Sequence, residues 1–282
     1  MSAVETLLAG LFDYAGLYPP ANVDMQTAVR NHLRYTESAH RGALGRFVVS
    51  ADRIDEVRSA AGESFSEMRL SLLVGADANL GSFSELLAEP GCVALECKAR
   101  QAADIEQICA QLPAHTECYF EIPMGVEENL LDAFKACGTR VKLRMGGVTA
   151  EAFPQAEAIV LMLHALAERH LAFKATAGLH HPVRSRHPFT YQADSAAGMM
   201  HGFLNLAFAA TLLNLGGSAG EALHILEEED PQAWLVSADA IGCRGFRWDV
   251  DQLRAVRERF FISIGSCSFE EPIRDLESMG WL

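Results

Sequence analysis

The feature that most limits the fold is a strand-then-helix pattern recurring about every 23 to 25 residues through the middle of the chain. Short apolar runs at residues 46–50, 68–75, 93–99, 118–123, 140–145 and 173–177 predict strands. Between them, residues 53–61, 83–89, 102–112, 127–137 and 152–170 carry helical periodicity. Strands alternating with helices of this length build right-handed βαβ units and a parallel sheet.

Six such units by residue 177 leave room for two more in a chain of 282 residues. An eight-stranded barrel needs roughly 250 residues, so a single domain over 1–282 is the simpler reading. The expectation is an α/β fold: a TIM-type β/α barrel with an N-terminal helical extension and irregular last two units. The alternative, an open doubly wound sheet, usually carries a glycine-rich phosphate turn after its first strand. Ser50-Ala51-Asp52-Arg53 is not one. Residues 1–39 predict two helices separated by a stiff loop at 12–20, ahead of the first strand. Residues 233–248 suggest a hairpin around 242–245, and 261–264 a last strand; the seventh strand has only a weak signature.

A net charge of −14 argues against nucleic acid or an anionic membrane as partner. A small anionic substrate stays open, because it feels the local field rather than the total. The seven cysteines are an odd number without a CxxC pair. The first ten residues lack a basic segment followed by a long apolar one. Together these predict reduced thiols and a cytoplasmic protein. Residues 196–215 are apolar enough to suggest a membrane helix, but His201, Asn205 and Asn214 interrupt them and no Lys or Arg flanks them closely. A buried helix packed on the barrel is expected instead.

Successive side chains on a strand point to opposite faces. Val141, Leu143 and Met145 therefore oppose Lys142 and Arg144, while Phe173, Ala175 and Ala177 oppose Lys174 and Thr176. Likewise Val93, Leu95 and Cys97 oppose Glu96 and Lys98, and Cys118, Phe120 and Ile122 oppose Tyr119 and Glu121. With helices on the outside, the apolar face packs outward and the charges converge on the interior. There they are costly unless paired or used.

Lysine usage sharpens the point. The chain has four lysines, Lys98, Lys135, Lys142 and Lys174, against nineteen arginines. Three of the four fall on strands with inward parity. Arginine cannot replace lysine where a deprotonated amine is needed. The bland alternative is a structural cluster in which Lys98, Lys142 and Lys174 pair with Glu96 and Glu121. On the functional reading, Lys142 and Arg144 beside Lys174 lower its pKa, and the neutral amine forms a Schiff base with a carbonyl substrate. Glu96, Glu121, His180 and His181 would move the protons.

The segment Lys174-Ala175-Thr176-Ala177-Gly178 resembles the sixth-strand segment of class I aldolases of the deoxyribose-phosphate aldolase type. There a Schiff-base lysine precedes small residues and a glycine. Lys142, one strand earlier, matches a further lysine of that pattern. The resemblance departs at one point: that family carries another active-site lysine on the seventh strand, and this chain has none after Lys174. Over its whole length the chain is similar to an uncharacterised bacterial protein family with segments like those at 15–21, 174–182 and 265–272, which implies no activity.

The loop after the last of these strands reads Gly178-Leu179-His180-His181-Pro182, and such loops carry a barrel's catalytic groups. The two histidines are open between acid–base work, metal ligation with His201, Glu96 or Glu121, and a plain surface role. Ser268 and Glu271 have capping-box spacing, so a helix should begin there. The Gly265-Ser266-Cys267-Ser268 turn then offers an anion site at Ser266 and Ser268, or an ordinary cap. Cys267 is a candidate nucleophile with no histidine neighbour evident in sequence. Asp13 and Tyr14 either close over the site or plug it.

The reading is a lysine-based lyase or isomerase acting on a small, anionic, possibly phosphorylated carbonyl compound. Its catalytic candidates are Lys174, Lys142, Glu96, Glu121, His180 and His181. Its binding candidates are Arg144, Lys98, Thr176, Ser266, Ser268, Asp13 and Tyr14. No cofactor and no metal are expected, and a homo-oligomer is left open. The alternatives are a divalent-metal lyase or hydrolase using Glu and His ligands, and a non-catalytic barrel that binds small anions.

Overall fold

The computed structural model describes residues 1–75, 87–88, 91–113, 116–125 and 128–282. Eight parallel strands close into a barrel: β1 (Phe12–Tyr14), β2 (Leu44–Ser50), β3 (Leu70–Leu73), β4 (Cys92–Lys98), β5 (Cys118–Ile122), β6 (Arg140–Arg144), β7 (Phe173–Thr176) and β13 (Phe261–Ser266). The helices among the described residues are α1 (Ala3–Leu8), α2 (Met25–Thr36), α3 (Ile54–Ala61), α4 (Ala102–Cys109), α5 (Glu128–Cys137), α6 (Ala156–Arg169), α7 (Phe203–Asn214), α8 (Ala219–Leu226), α9 (Val250–Arg259) and α10 (Glu270–Ser278). The expected helix at 83–89 lies outside the described residues, apart from 87–88.

One expectation is corrected at the N-terminus. The stiff loop contains a barrel strand: Phe12 and Tyr14 of β1 pair with β2 on one side, and Phe12 to Tyr14 with β13 on the other, and this closes the barrel. The strand is three residues long and buried throughout, so it shows no polar–apolar alternation to reveal it. With β1 counted, Lys142 lies on the sixth barrel strand and Lys174 on the seventh.

Outward residues pack as parity predicts. Phe120 meets Phe134 of α5 edge to face, and Phe173 meets Phe260 in the same way. Between β7 and β13 the regular repeat gives way to an insertion. It begins with the hairpin β8 (Ser185–Pro188) and β9 (Ala197–Met200), continues through α7 and α8, and ends in an antiparallel sheet of β10 (Trp234–Val236), β11 (Ala240–Cys243) and β12 (Phe246–Asp249). Phe189 and Met200 of the hairpin cluster with Phe153 from the loop after β6, which holds the hairpin beside the mouth of the barrel. Residues Phe203–Leu213 of α7 are all buried, so the helix is apolar all round because protein surrounds it. No helix among the described residues is long and apolar enough to cross a membrane.

Candidate active site

The interior carries charge where barrels usually carry branched apolar side chains. Strand register sets Lys142 directly beside Lys174, Glu121 beside Lys142, and Glu96 beside Tyr119. Lys174 Nζ, fully buried, donates to Asp13 Oδ2 and to Glu96 Oε1, both at 2.6 Å. Lys142 Nζ lies 2.8 Å from Glu96 Oε2 and 3.1 Å from Glu121 Oε2, and Arg144 Nε donates to Glu121 Oε1 at 3.1 Å. Lys174, Lys142 and Arg144 thus balance Asp13, Glu96 and Glu121.

Neutral donors complete the carboxylates. Ser71 Oγ donates to Glu96 Oε1 at 2.6 Å, and Ser263 Oγ donates to Asp13 Oδ2 at 2.7 Å. The Arg46 backbone N–H donates to Asp13 Oδ1 at 2.7 Å. The Tyr119 ring lies 5.3 Å from Lys174 Nζ, adding cation–π attraction from beneath the ion pairs. Serines 71 and 263 and the Tyr119 contact were not anticipated as partners; their inward parity was the available signal.

The electrostatics reverse one expectation. Burial works against the Lys174 ammonium, but Asp13 and Glu96 outweigh it and raise the pKa above the ordinary lysine value. The positive neighbours that were to lower it are each occupied by a carboxylate. Glu96 is shifted in the complementary sense: burial pushes it up, while Lys142 and Lys174 hold it well below the usual carboxylate range. Lys174 is therefore an anchored cation.

A cavity of about 310 Å³ opens above this network at the C-terminal ends of the strands. Glu96, Lys142, Lys174, Arg144 and Thr176 line it together with Tyr18, His180 and Cys267. Tyr18 was not singled out in sequence; burial pushes its hydroxyl up to about 12. Directly after β7 the backbone reverses through two left-handed residues, Ala177 (φ 61°) and Gly178 (φ 70°). A Cβ at Gly178 would stand 2.8 Å from the Gly146 Cα, so the loops after the two lysine strands approach backbone to backbone. A non-glycine residue in this conformation is uncommon and marks constrained backbone at the cavity.

Several expected residues lie elsewhere. Lys98, the last residue of β4, is exposed and lines a separate groove with Glu121 and Arg144. Tyr14 is turned outward among His32, Tyr35 and Phe47 and accepts from Asn31 Nδ2. Asp13 lies beneath the cavity as the partner of Lys174 rather than closing over it. His181 Nδ1 lies 2.7 Å from Asp275 Oδ2, and its ring stacks on His187 at 3.3 Å, away from the cavity lining.

Ser266 Oγ donates to the Ser268 carbonyl, and Ser268 Oγ caps the Glu271 N–H, so neither hydroxyl lines the cavity. Glu270 and Glu271 already occupy the first turn of α10. His201 Nε2 is engaged 2.8 Å from the Pro154 carbonyl. Among the described residues, no group of three His, Cys, Asp or Glu side chains is arranged to hold a metal ion.

His180 does reach the cavity. Its Nδ1 lies 3.1 Å from Glu271 Oε2 and 3.8 Å from Cys267 Sγ. Burial lowers its pKa, but the hydrogen bonds to Cys267 and Glu271 outweigh that and raise it to about 10.

The sequence matches no protein-family model and no curated protein. Among solved structures the chain is similar to a lysine/ornithine decarboxylase complexed with cadaverine from Vibrio vulnificus, at 13% identity and a TM-score of 0.37. The match covers 62% of this chain and 48% of that one, so the chain spans about half of its length. The assignment of the fold rests on the closed strand order itself.

Proposed function

We propose that the protein is a lyase or isomerase that acts on a small anionic carbonyl compound through a lysine Schiff base, with Lys142 as the nucleophile. The observation that carries this reading is the Lys142–Glu96–Lys174 bridge at the floor of an open cavity. A paired cluster meant only to fill the barrel has no need of a cavity above it.

The two lysines divide the work. Lys174 is locked between two carboxylates and keeps its proton, so it holds Glu96 ionised and fixed. Lys142 shares Glu96 with Lys174 and Glu121 with Arg144, and it keeps 7% exposure where Lys174 keeps none, so it is the amine that a substrate in the cavity meets. The proton it sheds passes to Glu121, the carboxylate that Lys174 does not hold. Once neutral, the amine attacks the carbonyl carbon, and loss of water gives an iminium that accepts electrons from the adjacent carbon. His180, on the cavity wall, is placed to exchange protons with the substrate, and Arg144 at the rim to hold its anionic group. With β1 counted, the 174–178 segment lies on the seventh strand, whereas the aldolases it resembles carry theirs on the sixth, so the reading rests on the site and not on that motif.

Sodium borohydride reduction in the presence of small anionic aldehydes and ketones tests the reading. Mass spectrometry should find a covalent adduct on Lys142, absent from Lys142→Met and from Lys142→Arg. No adduct across such a panel, or one that persists in Lys142→Met, would overturn it.

A further inference from the structure

The same cavity holds a second group that the lysine chemistry does not use. Cys267, in the turn between β13 and α10, is 6% exposed and lines the cavity. Two titratable side chains contact its sulfur, and a carboxylate holds both of them. His180 Nδ1, from the loop after β7, lies 3.8 Å away. The Tyr191 hydroxyl, from the β8–β9 loop, lies 3.7 Å away and donates to Glu271 Oε2 at 3.0 Å. Glu271, from α10, lies 3.1 Å from His180 Nδ1.

His180 is the one cation in this set, and Glu271 holds it in place. An imidazolium next to a thiol favours the thiolate, which is the nucleophilic form. Three of the other cysteines have a different setting. Cys118 is buried between strands, and Cys109 and Cys243 have their thiols pushed up to about 12, mainly by burial.

We infer that Cys267 and His180 form a thiolate–imidazolium pair that makes Cys267 a second nucleophile in the cavity, for the carbonyl carbon of a small aldehyde. The substrate class rests on the proposed function; the activated thiol does not. In the capture step the sulfur lone pair forms the S–C bond and the carbonyl π pair moves to oxygen. That oxygen takes the proton from His180, giving a neutral thiohemiacetal and a neutral imidazole. No oxidant or cofactor is consumed, and the step is reversible.

The test is the rate of Cys267 alkylation by iodoacetamide, followed by peptide mass spectrometry on the full chain from pH 5.5 to 9.5. Cys267 should be alkylated faster than Cys109 and Cys243 across this range. At pH 7 its rate should fall at least about tenfold in His180→Gln, reflecting the lost thiolate fraction. Tyr191→Phe, which removes one partner at the surface, should stay folded and shift the profile in the same assay. Acetaldehyde should slow alkylation in the parent chain and equally in Lys142→Met, which separates this site from the lysine. A Cys267 rate no faster than those of Cys109 and Cys243, a rate unmoved by His180→Gln, or no protection by acetaldehyde would each overturn the inference. Failure of borohydride trapping at Lys142 would leave these readouts unchanged.

Discussion

Lys142 and Lys174 stand side by side on β6 and β7 and share one carboxylate, each taking a different oxygen of Glu96. The sharing makes their substitutions unequal. Removing Lys174 leaves the buried Asp13 without its ion-pair partner and Glu96 with Lys142 alone, so Lys174→Met should cost roughly 3–5 kcal/mol. Removing Lys142 leaves Glu96 paired with Lys174 and Glu121 paired with Arg144, so Lys142→Met should cost clearly less while abolishing borohydride trapping. Urea melts of the two variants check the ranking, and equal midpoints would contradict it.

The pH dependence of stability should carry the signature of His180. Its folded pKa, about 10, lies above the ordinary histidine value of about 6.5, so the folded state binds a proton that the unfolded chain releases. The stabilisation is complete below about pH 6.5 and is lost as pH rises through about 10. The expected loss is on the order of a few kcal/mol. Urea midpoints of the parent chain should fall over that window, and those of His180→Gln should fall much less. A parent curve flat from pH 6.5 to 10 would count against the buried imidazolium.

Gly45 is small because Asp13 needs the space. A Cβ at Gly45 would stand 2.3 Å from Asp13 Oδ1 and 3.0 Å from the Gly10 carbonyl. Gly45→Ala should push the carboxylate off the Arg46 N–H and away from Lys174, costing about 1–3 kcal/mol as an overpacked core site. Gly42→Ala is the control, since nothing lies within 4 Å of its Cβ. Thermal melts should separate the two, and a neutral Gly45→Ala would show that the Asp13 pocket yields easily.

What the sequence revealed follows from how each feature is encoded. The alternation that turned Leu143 outward turned Lys142 inward, so the charged interior was visible strand by strand. Pairing of Lys142 and Lys174 with Glu96 and Glu121 was one of two readings, and deciding for it depended on register between strands and on Asp13, which sits in the strand too short to detect. Lys98 was misplaced because parity says which way a residue points, not whether the barrel still encloses it. The His180–Cys267 contact joins residues far apart in the chain, and no local pattern announces it. The small residues after Lys174 were legible as a motif. Their physical reason, the left-handed turn at Ala177 and Gly178 against Gly146, required coordinates.

Asn205 is the residue that most clearly separates α7 from a membrane helix. It is fully buried, yet all its polar capacity is used: Nδ2 donates to the Ile225 and Glu228 carbonyls at 2.8 Å, and Oδ1 accepts from the Arg184 N–H at 2.8 Å. It thereby ties the start of α7 to the end of α8 and to the loop that leads into β8. Asn205→Leu would leave the Arg184 N–H and the Glu228 carbonyl without partners and the Ile225 carbonyl with the Glu228 N–H alone, at a cost of about 2 kcal/mol or more. Asn205→Asp keeps the acceptor for Arg184 but turns a carboxylate toward two carbonyl oxygens, which raises the folded-state pKa of the new group. Its deficit should therefore be smaller at pH 5 than at pH 8, whereas that of Asn205→Leu should not change over the same range. Urea midpoints at the two pH values decide the matter, and an Asn205→Leu variant as stable as the parent would mean that water satisfies the two orphaned groups.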